Sequence, residues 1–283
     1  MSKFVLLRTL NDMNSFLKKF NPRLENKIEY EILRNYSRNR ILITAEHAET
    51  KKLFLPEYGE RAFVGIGDKN TDKIAKLAAF HTECAYMIPR ILRTKVDLSR
   101  SYKEFKTAKL YAGLFNINEK KMKKAKIFIH RDIEKANVLF FFHNKIEKLN
   151  PRAILSFHGM HLRYKPDILL GFGPGRRYFD KPFEFRDFFH ERLKNAFTNL
   201  NLKNDLDIKI GQKLFTGTKN YTLYRHVKQF NDKEKSKSKK RFGIHVEFNL
   251  RGRIRKTTNE LPKLRYQVAA QVLADSLEEW MKK

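Results

Sequence analysis

Three aliphatic runs each lead into residues that can do chemistry. Arg40-Ile41-Leu42-Ile43-Thr44-Ala45 runs into Glu46-His47-Ala48-Glu49, and Ala153-Ile154-Leu155-Ser156-Phe157 runs into His158-Gly159-Met160-His161. Glu247 stands inside His245-Val246-Glu247-Phe248-Asn249. Two histidines and a carboxylate delivered by strand ends suit a zinc site with three protein ligands and one open position. The open position lets the metal lower the pKa of bound water to about 7 and polarise a carbonyl. A separate carboxylate is then needed to carry the proton to the leaving amine. Glu46 alternates with His47, so it is expected to point away from it and make a structural hydrogen bond or ion pair. His161 faces the side opposite His158 if its strand is regular.

The elements that position these groups read as α/β. Ile28–Leu33 alternates as a strand, and the two runs before His47 and His158 are continuous, as in strands buried on both faces. Ile168–Leu170, Ile208–Ile210 and Gly243–Phe248 follow as further strands. Helical spacing predicts helices over Asp72–Met87, stopped by Pro89, from an Asp132 cap to Asn150-Pro151, over Arg186–Leu200, and at the carboxyl end through Leu264, Val268, Val272, Leu277 and Trp280. Tyr221–Tyr224, ahead of Arg225-His226, is expected in a strand. Gly171–Arg177 has neither P-loop nor dinucleotide spacing and is expected to be a loop after a strand. The architecture expected is one domain, a mixed central sheet flanked by helices, in which ligands sit beyond the carboxyl ends of the strands.

Composition narrows the class. In 283 residues, 60 Lys and Arg face 31 Asp and Glu, for a net charge of +29, and 24 Phe supply a sizeable core. The single cysteine, Cys84, rules out an internal disulfide framework or a cysteine zinc ribbon, and it stands among helix apolars as a core residue. The longest apolar stretch, Val138–Phe142, is far below the roughly 18 residues of a membrane span. The first eight residues are too weakly apolar for a signal peptide, so a soluble cytoplasmic protein is expected.

Thr44-Ala45-Glu46-His47-Ala48, Asp68 opening a helix, Val96-Asp97-Leu98-Ser99-Arg100, Ser156-Phe157-His158-Gly159-Met160 and His245-Val246-Glu247-Phe248-Asn249 come in an order that resembles the N-formylglutamate amidohydrolase family. The resemblance runs from about residue 40 to the carboxyl end and leaves 1–39 outside. It implies a zinc-carboxypeptidase-like fold with one catalytic zinc held by His47, Asp68 and His158. It implies Glu247 as the base that activates water and Arg100 as the clamp on a substrate carboxylate. The substrate class it implies is an N-acyl amino acid such as N-formylglutamate, or a related small acidic compound. Ser99 stands where the family has asparagine, and Ser156 where it commonly has aspartate. Glu49 competes with Asp68 as third ligand.

The charge supports a second class. A basic protein that binds nucleic acid on a hydrolase-like scaffold with a degenerate metal site fits a charge of +29. The densest basic run lies in 231–241, between two expected strands, and has no interleaved aromatic residue to stack bases.

Overall fold

Strands that read as unbroken aliphatic runs need cover on both faces, and the computed structural model places them at the middle of a sheet. The structure describes residues 4–9, 11–12, 15–16, 22–48, 51–54, 63–66, 68–91, 98–99, 133–173, 178–211, 215–218, 220–234, 236, 239–253 and 261–283. The chain runs through β1 (Arg23–Glu25), β2 (Ile28–Ile32), α1 (Tyr36–Asn39), β3 (Ile41–Thr44), β4 (Lys51–Phe54) and β5 (Phe63–Ile66). It continues through α2 (Thr71–Thr82), β6 (Ala85–Pro89), α3 (Ile133–Leu149), β7 (Ala153–Met160), β8 (Ile168–Gly171), α4 (Pro182–Asn199) and β9 (Ile208–Ile210). Then come α5 (Tyr221–Leu223), a π-helical turn (Tyr224–Lys228), α6 (Gln229–Lys233), β10 (Phe242–Asn249), α7 (Leu250–Arg253) and α8 (Leu264–Trp280).

Eight strands form one mixed sheet in the order β1-β2-β6-β3-β7-β10-β8-β9, and β4 and β5 pair as a separate antiparallel hairpin. The four central strands, β6, β3, β7 and β10, are mutually parallel, and antiparallel partners β2 and β8 flank them. One face packs Ile41, Ile43, Leu155, Phe157, Val246 and Phe248 against α2, α4 and α8. The other packs Leu42, Met87 and Ile154 against Val138, Leu139, Phe142 and Ile146 of α3. Phe142, Phe157, Phe185, Phe189 and Phe197 are fully buried, each stabilising the fold by about 1.5–3 kcal/mol relative to exposure.

The face toward α3 changes character along the strands. Its amino half carries Leu42 and Ile154, and its carboxyl half carries Thr44, Ser156, His158, His245 and Glu247, all buried. Period-two alternation keeps each series on one side, and the register Thr44↔Ser156, Ser156↔His245 and His158↔Glu247 sets the three strands level.

The carboxyl-terminal helix also holds the start of the chain. Gln267 and Gln271 are wholly buried on α8. Gln271 exchanges hydrogen bonds with Val5, at 2.8 and 2.9 Å, and Gln267 with Leu7, at 2.7 and 2.9 Å. Four residues of helix rise about 6 Å and two of strand about 6.7 Å, so two glutamines one turn apart meet alternate residues of an extended strap.

Three local expectations change. The helix over Asp72–Met87 stops at Thr82, where Glu83 takes a left-handed φ of 49°, and Ala85–Pro89 is a strand between β2 and β3. Short apolar segments carry no period that separates helix from strand. Tyr221–Tyr224 is helical, capped by Asn220, whose side chain accepts from the Leu223 amide. The lysine-rich segment joins α6 to β10 and not strand to strand.

Candidate metal centre

His47 lies in the turn just past β3, His158 within β7, and Asp68 ahead of α2. Backbone bonds bring the loop of Asp68 to His47: the Asp68 amide donates to the His47 carbonyl at 2.6 Å, and Thr71 donates through amide and hydroxyl to the Asp68 carbonyl. The donor atoms converge. His47 Nδ1 is 3.6 Å from Asp68 Oδ2, His158 Nδ1 is 3.5 Å from the same oxygen, and the two Nδ1 atoms are 3.2 Å apart. A tetrahedral ion with bonds of about 2.0–2.2 Å spaces its ligands roughly 3.3–3.6 Å apart. Two imidazoles and a carboxylate in this spacing fit a zinc ion, and all three residues are buried.

A shell of polar groups supports both histidines from behind. His158 Nε2 lies 3.3 Å from Glu46 Oε2 and 3.0 Å from Ser156 Oγ, and His47 Nε2 lies 3.0 Å from Ser99 Oγ. Glu46, 1% exposed, also accepts from Thr44 and Ser156. A carboxylate behind a ligating imidazole fixes its tautomer and raises its basicity. Glu46 thus supplies the carboxylate behind His158.

The electrostatics favour a cation. Burial opposes the charged form of Glu46, but hydrogen bonding and charge from His158, and then charge from His47, outweigh it and hold the carboxyl at about 2. Asp68 is likewise held well below the usual carboxylate range, against burial, by His158, His47 and the charge of Arg253. Burial also opposes the charged form of His158, yet Asp68 and Glu46 raise it to about 10. A site that draws a proton this strongly draws a divalent ion for the same reason.

Glu247 stands beside His158 in the β7–β10 register. Its Oε1 is 2.9 Å from His245 Nε2, and its Oε2 is buried with no hydrogen-bond partner among the described residues. Asn220 Nδ2 donates to Ser156 Oγ at 2.7 Å and to His245 Nδ1 at 3.1 Å, which leaves Nε2–H of His245 to donate to Glu247. Burial, and then the charge of His158, lower the pKa of His245, so that its ring stays neutral.

Arg253 closes the far side. It donates to the carbonyls of Phe248, Lys69 and Met160, pinning the Asp68 loop to the ends of β7 and β10. Its guanidinium crosses β7 at Gly159, where a Cβ would lie 2.3 Å from Arg253 Cζ. Glycine after His158 thus lets Arg253 keep its three carbonyls.

His47, Asp68, His158 and Glu247 are brought together, while Arg100 and Glu49 lie outside the described residues. His161 is exposed beyond β7, and its Nδ1 accepts from the Arg163 amide. His226 is buried against His143, with Nε2 2.9 Å from His143 Nδ1, and Arg225 pairs with Glu147. Cys84 is buried, and burial pushes its thiol up to about 12, so it is inert core. Asn220 and Arg253 escaped the sequence reading because they come from separate segments with no shared spacing, and Ser99 and His245 were read as motif members without a support role.

No family model and no curated protein matches the sequence. Solved structures do match. A gene product of Agrobacterium tumefaciens has a TM-score of 0.51 at 14% identity, over 90% of this chain and 92% of that one. N-formylglutamate amidohydrolase from Ralstonia eutropha has a TM-score of 0.51 at 11% identity, over 91% of this chain and 99% of that one. A metallo-carboxypeptidase from Pseudomonas aeruginosa is matched at 0.48 and 10% identity, over 96% of this chain and 68% of that one. The likeness to the amidohydrolase is one of fold: a mixed eight-strand sheet between helices.

Proposed function

We propose that this protein is a zinc-dependent amidohydrolase that cleaves the amide of an N-acyl amino acid such as N-formylglutamate, or of a related small acidic compound. The observation that carries the reading is the triangle of His47 Nδ1, Asp68 Oδ2 and His158 Nδ1, 3.2 to 3.6 Å on a side, next to a carboxylate with a free buried oxygen. The fold of an N-formylglutamate amidohydrolase supports it. His47, Asp68 and His158 would hold the zinc, which would supply Lewis acidity toward an acyl oxygen and acidity to water.

The chain's own residues do the rest. Glu247 takes the proton of the attacking water on Oε2 and delivers it to the departing nitrogen. His245 holds Oε1 so that the second oxygen is the one presented. Glu46 and Ser99 keep the ligating nitrogens of His158 and His47 turned inward. Arg253 fixes the Asp68 loop and, after the two histidines, adds its charge to keep that carboxylate ionised. Arg100, matched by resemblance alone, would hold the substrate carboxylate. Hydrogen-bonding support behind both histidine ligands speaks against the degenerate-site alternative.

The test is elemental analysis of untagged protein together with N-formylglutamate hydrolysis. About one zinc per chain is expected, absent from His158→Ala, whereas Glu247→Gln keeps the zinc and loses turnover by about 10²–10⁴. No metal in the wild type after zinc is supplied, or full turnover in Glu247→Gln, would sink the assignment.

A further inference from the structure

The amino ends of the same strands carry a second constellation. β3, β7 and β10 pair in the register Ile41↔Ala153↔Phe242, and each is preceded by an arginine: Arg40, Arg152 and Arg241. Backbone bonds hold these residues side by side, Arg152 amide to Arg40 carbonyl at 2.8 Å and Phe242 amide to Arg152 carbonyl at 2.9 Å. With Lys239, Asn150, Pro151 and Phe230 they line a pocket of about 360 Å³.

This is a built feature and not a row of surface cations. Arg241 is 9% exposed, its Nη1 donates to the His226 carbonyl at 2.9 Å and its Nη2 to Asn150 Oδ1 at 2.6 Å, and its guanidinium lies 3.7 Å from the Phe230 ring centre. Arg40 Nε donates to the Asn150 backbone carbonyl at 3.1 Å. One asparagine thus clasps both guanidiniums. Asn150 and Arg40 both adopt the left-handed region, with φ of 50° and 49°, a conformation that costs energy in an arginine.

The charge is uncompensated. No acidic side chain lines the pocket, and among the described residues none of its four cations makes an ion pair. The buried Lys76, by contrast, pairs with Glu29, which Arg90 shares. A guanidinium held in place without a counter-ion, beside others of its kind, destabilises the fold unless an anion arrives. Arg241 spends only two of its five N–H donors on the protein.

We propose that this pocket binds a small phosphate-bearing anion of nucleotide scale, with two or more linked phosphates bridging Arg40, Arg152, Arg241 and Lys239. Guanidinium forks match phosphate oxygens bidentately, and the volume lies in the range of small-molecule sites. Along β7, His158 of the metal centre lies six residues beyond Arg152 of this pocket, about 20 Å. The two sites are distinct, and this one stands whether or not the chain is a hydrolase.

The experiment is calorimetric titration of the full chain with sodium tripolyphosphate at physiological salt, beside a nucleoside triphosphate and a 20-nucleotide RNA. Saturable binding of tripolyphosphate at one per chain is expected, weakened at least tenfold in Arg152→Gln, an exposed position that tolerates change, and in Lys239→Gln. His158→Ala, at the other edge, retains it, and so does Lys203→Gln on remote surface. A tighter nucleoside triphosphate would show that the pocket also takes a nucleoside. No saturable binding of tripolyphosphate, several ions per chain unaffected by Arg152→Gln, or binding of RNA alone would each overturn the proposal.

Discussion

At their carboxyl ends β3, β7 and β10 lead to His47 with Glu46, to His158 and to Glu247; at their amino ends they begin from Arg40, Arg152 and Arg241. One register serves both edges, so the strands supply placement alone and neighbouring loops decide the chemistry. At the carboxyl edge, Ser99, Asn220 and Arg253 arrive from other segments and give nearly every buried polar atom a partner, leaving Glu247 Oε2 over. At the amino edge Asn150 and Phe230 hold the guanidiniums but bring no acid. The first edge is arranged to receive a cation, and the second an anion.

The contrast breaks most completely if the support behind the ligands is removed. Glu46→Gln keeps the volume but deletes the carboxylate behind His158, and zinc affinity measured by chelator competition is expected to fall about 10–100-fold. Unchanged affinity would mean that Ser156 alone orients the ring. Gly159→Ala comes next. Its methyl displaces the Arg253 guanidinium from three carbonyls, at a cost of about 1–3 kcal/mol, read as a lowered urea midpoint at constant m-value. Unaltered stability would show that Arg253 is free to move aside.

The smallest effect lies in the His143–His226 pair, whose second member also presents the carbonyl that holds Arg241. Burial, and then the charge of His226, hold His143 well below 6.5; burial, with Arg225 and Arg241, lowers His226 to about 3. Both values lie below the free imidazole, so the unfolded chain takes up protons first. Stability from this pair is complete above about pH 6.5 and declines as the pH falls toward 3. Thermal melts should show an acid slope over that window that is shallower in His143→Gln; an identical slope in the variant would assign it elsewhere.

The central strands were legible because burial on both faces leaves unbroken aliphatic runs, and His47, His158 and Glu247 because they stand at or near the ends of those runs. Ala85–Pro89 was not, since five apolar residues after a helix keep no period of their own. Ser99 and Asn220 were hidden for a different reason: a hydroxyl or an amide becomes a support only when a distant backbone brings an imidazole within 3 Å or so of it. The three arginines were visible as letters before three strands, but their meeting depends on register, which the residue types do not state.

The glutamine clasp on α8 has a consequence for biosynthesis. Val5 and Gln271 are 266 positions apart, and a ribosome adding about 5–20 residues per second needs roughly 13–50 s to cover that distance. For all of that interval the backbone of Val5 and Leu7 waits for the two glutamines, although Phe4 already has His81 to stack on. The strap is thus among the first parts of the described chain to be made, and its backbone pairing is among the last to form.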